Sequence, residues 1–142
     1  MNIVPTNISD AAVLNLFSKH DDFMQDFLGK DKACYTRYSP AESIEKVWLA
    51  FEENMPIGCV AYRTKSDDTG EVKRLFIKSK YRGNGISKAL LSEVKSYAKA
   101  QGCVKLFLDT RITLEPAVSL YRRFGFEITF QQGLYIQMEM EI

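Results

Sequence analysis

Histidine occurs once, at position 20, and cysteine three times, at positions 34, 59 and 103. An odd number of widely spaced cysteines makes neither a disulfide framework nor a zinc motif, and a reducing compartment such as the cytoplasm suits it. Cys59 and Cys103 have no histidine nearby in sequence, so they are expected as small buried hydrophobes. No metal is implied. Neither sign of charge dominates: 19 Lys and Arg stand against 18 Asp and Glu, a net +1. That balance excludes the basic footprint of a nucleic-acid or anionic-membrane binder. No stretch is apolar enough to span a bilayer, and Met1 to Thr6 has no basic region leading into an apolar run, so no signal peptide is expected. Repeats, low-complexity tracts and linkers are also missing. The 142 residues are expected to form one domain, 1–142, long enough for a substantial core.

What is present centres on Lys80-Tyr81-Arg82-Gly83-Asn84-Gly85-Ile86-Ser87-Lys88. Two glycines end a strand-like run and open a helix. From Ile86 the apolar residues recur at Ala89, Leu90, Val94, Tyr97 and Ala98, which is helical spacing, and Gly102 stops the helix. The first turn of a helix leaves N–H groups without partners at the positive end of its dipole. Arg82 and Lys88 add charge, and the Asn84 and Ser87 side chains can donate hydrogen bonds. Such a turn suits a pyrophosphate; a glycine-rich turn without a ligand fits the same residues. It is not a Walker A loop, and a dinucleotide fingerprint would need its third glycine at Lys88.

The remaining elements follow in order. Residues 2–5 read as a strand. Ser9 caps a helix carrying Ala12, Val13, Leu16 and Phe17, with Ile8 and Val13 placed as a hydrophobic staple. His20 falls at its end, a C-terminal capping position to which no chemistry is assigned. Asp21-Asp22 opens a second helical piece with Phe23, Met24, Phe27 and Leu28 on one face, able to cover a sheet or wall a pocket. Residues 30–44 are irregular; Tyr35, Arg37 and Tyr38 there are candidates for ligand contact or for packing on the body. Residues 46–53 and 57–64 read as a hairpin, and 71–78 as the strand entering the glycine turn. Alternation breaks at Lys73-Arg74; a β-bulge near Arg74–Leu75 would restore it, and a strand buried on both faces at its far end would explain it equally. Residues 104–110 form a strand expected to pair in parallel with 71–78. Thr113 caps a last helix with Ala117, Leu120, Tyr121 and Phe124 on one face, and two strands close the chain.

The order β-α-α-β-β-β-α-β-α-β-β is that of a mixed α/β sheet. With three motifs it resembles the GNAT-type N-acetyltransferases over nearly the whole chain. Glu71 to Ile77 resembles the family's fourth strand. Lys80-x-x-Gly83-x-Gly85 resembles its acyl-CoA pyrophosphate loop, with lysine where the family prefers Gln or Arg. Ala117-Val118-Ser119-Leu120-Tyr121-Arg122-Arg123-Phe124-Gly125-Phe126 resembles its Ala-x-x-Leu-Tyr-x-x-x-Gly-Phe helix.

The resemblance implies a fold in which acetyl-CoA lies between splayed fourth and fifth strands. Its pantetheine arm would pair with Leu75, Phe76 and Ile77, and its pyrophosphate would sit on residues 80 and 82–88. A backbone N–H beside the bulge would polarise the thioester carbonyl. An amine of a small molecule, amino acid or peptide would attack directly, and Tyr121 would protonate the leaving thiolate. Glu71 would serve as general base, directly or through water, although a glutamate at a strand start also reads as an exposed side chain. Arg111, after the fifth strand, could hold a substrate carboxylate or be a solvated arginine. A non-catalytic acyl-CoA-binding regulatory module would keep the loop without needing Tyr121, and a nucleotide-binding module is a more distant alternative. A monomer or a homodimer is compatible with all of these.

Overall fold

A computed structural model describes residues 1–29 and 35–142. Cys34, and with it the first part of the irregular 30–44 segment, lies outside the described residues. The elements are β1 (Asn2–Thr6), α1 (Ala11–Leu28), β2 (Lys46–Glu52), β3 (Met55–Ser66), β4 (Thr69–Ile77), α2 (Ile86–Ala100), β5 (Lys105–Arg111), α3 (Glu115–Phe124), β6 (Glu127–Gln132) and β7 (Tyr135–Glu141). The seven strands form one sheet in the order β1-β2-β3-β4-β5-β7-β6. Only β4 and β5 pair in parallel; the other neighbours are antiparallel.

Where two helices were expected between residues 9 and 28, there is one. Asp21 does not start a second helix. Its side chain turns inward and is buried against Arg74, so the backbone ladder runs through it. His20 is therefore mid-helix rather than at a C-terminus. The N-cap is Asp10, not Ser9: its carboxylate accepts the N–H of Ala12 at 2.9 Å and the hydroxyl of Thr6 at 3.1 Å. Ser9 is occupied instead with the side chain of Asn7. Ile8 and Val13 nonetheless share one apolar cluster.

The two faces of the sheet are covered by different helices. Val13, Leu16 and Phe17 of α1 pack on Val47, Leu49, Cys59, Ala61 and Phe76. On the opposite face, Leu90, Leu91, Val94 and Ala98 of α2 and Val118 and Tyr121 of α3 meet Trp48, Val60, Tyr62, Val72, Leu106, Leu108 and Ile136. Each fully buried leucine in that layer contributes about 1.5–3 kcal/mol. Burial from both sides makes β2 and β3 continuously apolar rather than alternating. Cys59 and Cys103 are buried and free. No helix among the described residues is long and apolar enough to cross a membrane.

Helix α3 begins without the expected Thr113 cap. Leu114 precedes the first turn and makes no side-chain cap; its N–H closes a turn onto the carbonyl of Arg111 at 3.0 Å. Glu115 in the first turn supplies negative charge at the positive end of the dipole.

Two irregularities shape the middle of the sheet. Cys59 pairs with Phe76 but Ala61 pairs with Lys73, so β4 takes one residue more than β3. This is the bulge expected from sequence, and Arg74 within it has φ +57°. A left-handed residue with a Cβ costs about 1–2 kcal/mol. The second irregularity is a fork. The β4–β5 ladder covers Thr69, Gly70 and Glu71 against Lys105, Leu106 and Phe107, and stops there. Beyond it β4 runs on to Ile77 and β5 to Arg111 without pairing to each other.

Candidate active site

The fork opens into a cleft of about 1240 Å³ that reaches the N-terminus of α2 at one end and the loop at residues 35–42 at the other. Of the expected donor-binding residues, Leu75, Phe76, Ile77, Arg82, Gly83, Gly85, Ile86, Ser87 and Lys88 line it. Lys80 lies instead in a shallower depression next to it, its ammonium 5.7 Å from the Tyr81 ring centre. Asn84 is exposed, and its amide reaches back to the carbonyl of Tyr81 at 3.4 Å.

The glycine loop has the conformation its composition requires. Gly83 and Gly85 have φ of +81° and +77°, in the left-handed region. Gly85 is the N-cap of α2, and no side chain caps that end. The N–H groups of the first turn are thus left for a ligand. A Cβ built on either glycine meets no atom within 4 Å, so the approach to these N–H groups is open. Arg82 does not simply add charge to the loop. Its Nε donates to the carbonyl of Ile77 at 2.9 Å, and its guanidinium lies over the Phe23 ring at 5.0 Å from the centre. It latches the loop to the end of β4 and to α1.

Tyr121 lines the cleft from the α3 side and is 9% exposed. Its ring meets Phe126 edge-on at 5.9 Å. Burial, then the negative charge of Asp109, pushes its pKa up to about 12. The hydroxyl keeps its proton at neutral pH.

Glu71 is buried at 3%, not exposed, and does not line the cleft. Arg63 stands opposite it on β3, and its Nε donates to the carboxylate at 2.9 Å; the ammonium of Lys73 is 4.0 Å away. Those cations explain how the carboxylate can be buried. Among the acceptor candidates, Tyr35 and Arg111 line the cleft, whereas Arg37 and Tyr38 do not. The Tyr35 hydroxyl donates to Asp21 at 2.6 Å. Arg37 is an exposed partner of Asp22 at 2.9 Å and of Gln25 at 2.7 Å on the outside of α1. Tyr38 packs edge-on against Phe17 at 5.0 Å.

Several lining residues were not singled out for chemistry from sequence. Phe23, Met24, Phe27 and Leu28 of α1 do wall the cleft, the second of the two uses open to that stripe. His20 joins them, 5.5 Å from Phe76 between ring centres, with Nδ1 making no hydrogen bond among the described residues. Burial, and then repulsion by Arg74, lowers its pKa to about 4, so it is neutral near pH 7. Arg74 is buried between Asp21 and Glu42. Burial opposes its charge, but hydrogen bonds to Glu42 and Asp21 more than offset this and raise its pKa. Asp109 and Tyr135 line the cleft from β5 and β7. The Tyr135 hydroxyl donates to Asp109 at 3.1 Å and accepts from the Gln137 amide at 2.9 Å. Among the described residues no cluster of His, Cys, Asp and Glu could hold a metal ion.

Comparison with known proteins agrees with this geometry. Residues 16–126 match the Acetyltransferase (GNAT) family. An uncharacterised N-acetyltransferase of Schizosaccharomyces pombe is 33% identical, over 96% of this chain and 97% of its own length. N-acetyltransferase 8 of Homo sapiens is 29% identical over 83% of this chain, which spans only 49% of that protein. Among solved structures, a GNAT family acetyltransferase from Elizabethkingia anophelis with acetyl-CoA bound superimposes with a TM-score of 0.73 at 21% identity, over 99% of this chain and 97% of that one. An N-acetyltransferase from Thermoplasma acidophilum in complex with coenzyme A gives 0.73 at 19% identity, over 100% of both chains. The chain belongs to the acetyltransferase (GNAT) family and is an N-acetyltransferase.

Proposed function

We propose that this chain moves the acetyl group of acetyl-CoA to a primary amine of a small molecule, amino acid or peptide, by direct attack within a ternary complex. The observation that carries this is the fork. A cleft passes between β4 and β5, with an uncapped helix N-terminus at one end and a buried tyrosine beside it. Acetyl-CoA is the donor: solved relatives of the same fold hold acetyl-CoA or coenzyme A, and the open first turn of α2 suits its pyrophosphate.

The chain's own residues then divide the work. Residues 82–88 hold the pyrophosphate through backbone N–H groups, with Lys88 adding charge. Unpaired backbone groups from Leu75 to Ile77 bond the pantetheine arm as a strand would. The bulge at Arg74 turns an N–H toward the thioester carbonyl, where negative charge develops. The neutral amine forms the C–N bond, the C–S bond breaks, and Tyr121 faces the departing sulfur. A phenol with a pKa of about 12 is a weaker acid than a thiol of about 8.5. Tyr121 therefore acts as a hydrogen-bond donor to the thiolate, and completes the proton transfer only as it regains a proton from the adduct nitrogen. Glu71, with its carboxylate held by Arg63, can relay a proton only through water. Tyr35 and Arg111 shape the acceptor end.

A screen of primary amines, amino acids and peptides for amine-dependent CoA release tests the activity. Release by some acceptor, with acetylated product by mass, is the expected result. Acetyl-CoA hydrolysis that no amine accelerates would overturn it.

A further inference from the structure

The last peptide groups of β4 face two different ways. The N–H of Lys78 donates to the carbonyl of Ile57, at the start of the β3 pairing, at 2.9 Å. In a planar trans peptide a C=O and the N–H that follows it point in opposite directions. The Ile77 carbonyl therefore points away from β3, to the side where β5 has already parted from β4. The group that meets it there is a side chain: Nε of Arg82 donates to it at 2.9 Å.

Arg82 thus stands where the next strand would be. Its other neighbours are the rings of Phe23 and Phe76, whose centres lie 5.0 and 5.9 Å from the guanidinium carbon. A carbonyl and two rings do not neutralise its charge. The backbone of Arg82 is extended, and Gly83 follows with φ +81°. The residue therefore sits at the junction of the strand end and the open first turn of α2, and it lines the same cleft as both. A pantetheine arm laid along β4 as a strand calls on the fork-facing carbonyl of Ile77 for one of its amide N–H groups. A pyrophosphate on the first turn of α2 offers the guanidinium an anion. Guanidinium binds phosphate bidentately and with opposite charge, whereas a neutral carbonyl gives it neither advantage.

Resting on the reading of acetyl-CoA laid along β4, we infer that Arg82 is a specificity-determining residue that makes the donor's pyrophosphate a condition for seating its pantetheine arm. Without a phosphate, Nε keeps the Ile77 carbonyl. A pyrophosphate on the loop draws the guanidinium off, and an amide N–H of the arm takes the carbonyl in its place. The carbonyl has a donor before and after the exchange, so a ligand that brings both halves meets little resistance. The donor class follows: thioesters of coenzyme A are favoured over thioesters of pantetheine alone. The latter must displace Arg82 and give it no anion in return.

The test uses CoA and pantetheine, which share the arm and differ in the phosphates. Affinities are measured for the wild type, Arg82→Ala and Arg82→Gln, by calorimetry for CoA and by ligand-observed NMR for pantetheine. Glutamine carries an amide nitrogen at the same place along the side chain as Nε, without the charge. Arg82→Ala should weaken CoA about tenfold or more, the loss of a hydrogen bond to an anion, and should tighten pantetheine about threefold, because the carbonyl is no longer taken. Arg82→Gln should weaken CoA alike but leave pantetheine within about twofold of the wild type. Melts of the ligand-free proteins should show all three folded. If Arg82→Ala weakens both ligands, or weakens CoA and leaves pantetheine unchanged, the exchange is overturned and the donor reading stands. A wild type that binds neither ligand overturns the donor reading and the exchange with it.

Discussion

Arg74 donates through Nη2 to Oε2 of Glu42 at 2.6 Å, and this pair ties the β4 bulge to the turn at residues 40–42. Asp21 of α1 binds the same guanidinium from the other side. One side chain therefore joins the strand that is to polarise the thioester, the helix that walls the cleft, and the loop at the acceptor end. The left-handed φ of Arg74 is held by these contacts and by the Cys59 thiol, which donates to the Arg74 carbonyl at 3.4 Å.

Arg74→Met is accordingly expected to destabilise the fold by about 3 kcal/mol, because the buried carboxylate of Asp21 loses its cation while the half-buried Glu42 keeps only Lys73. Arg74→Lys should recover little, since an ammonium cannot reproduce the fork that spans both acids. Denaturant melts give the stability. On the folded fraction, kcat should fall more than the KM for acetyl-CoA rises. A variant with normal kcat would detach the ion-pair network from the chemistry.

Tyr121→Phe should leave the melting temperature nearly unchanged, because the ring keeps its packing on Phe126 and the hydroxyl is perturbed by burial and by Asp109 rather than by a hydrogen bond. Turnover should fall by about 10²-fold, near the low end for acid–base groups, since a thiolate is already a tolerable leaving group near neutral pH. Acetyl-CoA affinity should change little, the interaction being made mainly in the transition state. Steady-state kinetics beside a melt decide it; full turnover in a folded variant removes the hydroxyl from the mechanism.

Gly85→Val should weaken CoA binding more than tenfold and also lower the stability of the ligand-free chain. The second effect arises from the φ of +77°, which a β-branched residue adopts only with strain. Lys80→Gln should alter neither, as its side chain lies outside the cleft. Calorimetric CoA titrations ranked the other way round would contradict the assignment of the loop.

Acid should unfold the chain in a window set partly by His20. Its folded-state pKa of about 4 lies below the unfolded value of 6.5, so between the two the unfolded chain binds the extra proton. The stabilisation is complete above 6.5 and is lost as the pH falls toward 4, by roughly 3 kcal/mol in all. Asp21, whose pKa is lowered because hydrogen bonds from Tyr35 and Arg74 outweigh its burial, adds a further loss below the ordinary carboxylate value. His20→Leu should flatten the upper part of this decline in melts from pH 7 to 4, and an unchanged slope would assign it to other groups.

Local features were legible in the sequence, and long-range pairings were not. The Gly83–Gly85 turn and the bulge at Arg74 each declare themselves within a few residues, by left-handed glycines in one case and broken alternation in the other. Asp21 misled because Asp-Asp resembles a helix start, while its partner Arg74 lies 53 residues away. Glu71 seemed exposed because Arg63 becomes its neighbour only through the β3–β4 register. Asp109 and Tyr135 meet across β5 and β7, 26 residues apart, and neither belongs to a motif. The Thr113 cap failed for a local reason: the turn from Arg111 to Leu114 closes one residue later than the side chain could use.

The parting of β4 from β5 also bears on how the chain avoids joining others. Two strand edges with unsatisfied N–H and C=O groups ordinarily invite a foreign strand. Here those edges lie in the middle of the sheet and face one another, roofed by α1 on one face and by α2 and α3 on the other. Those edges are reached through the cleft and not from the outer margins of the sheet, where β1 and β6 lie. The sheet keeps its adhesive seam on the inside.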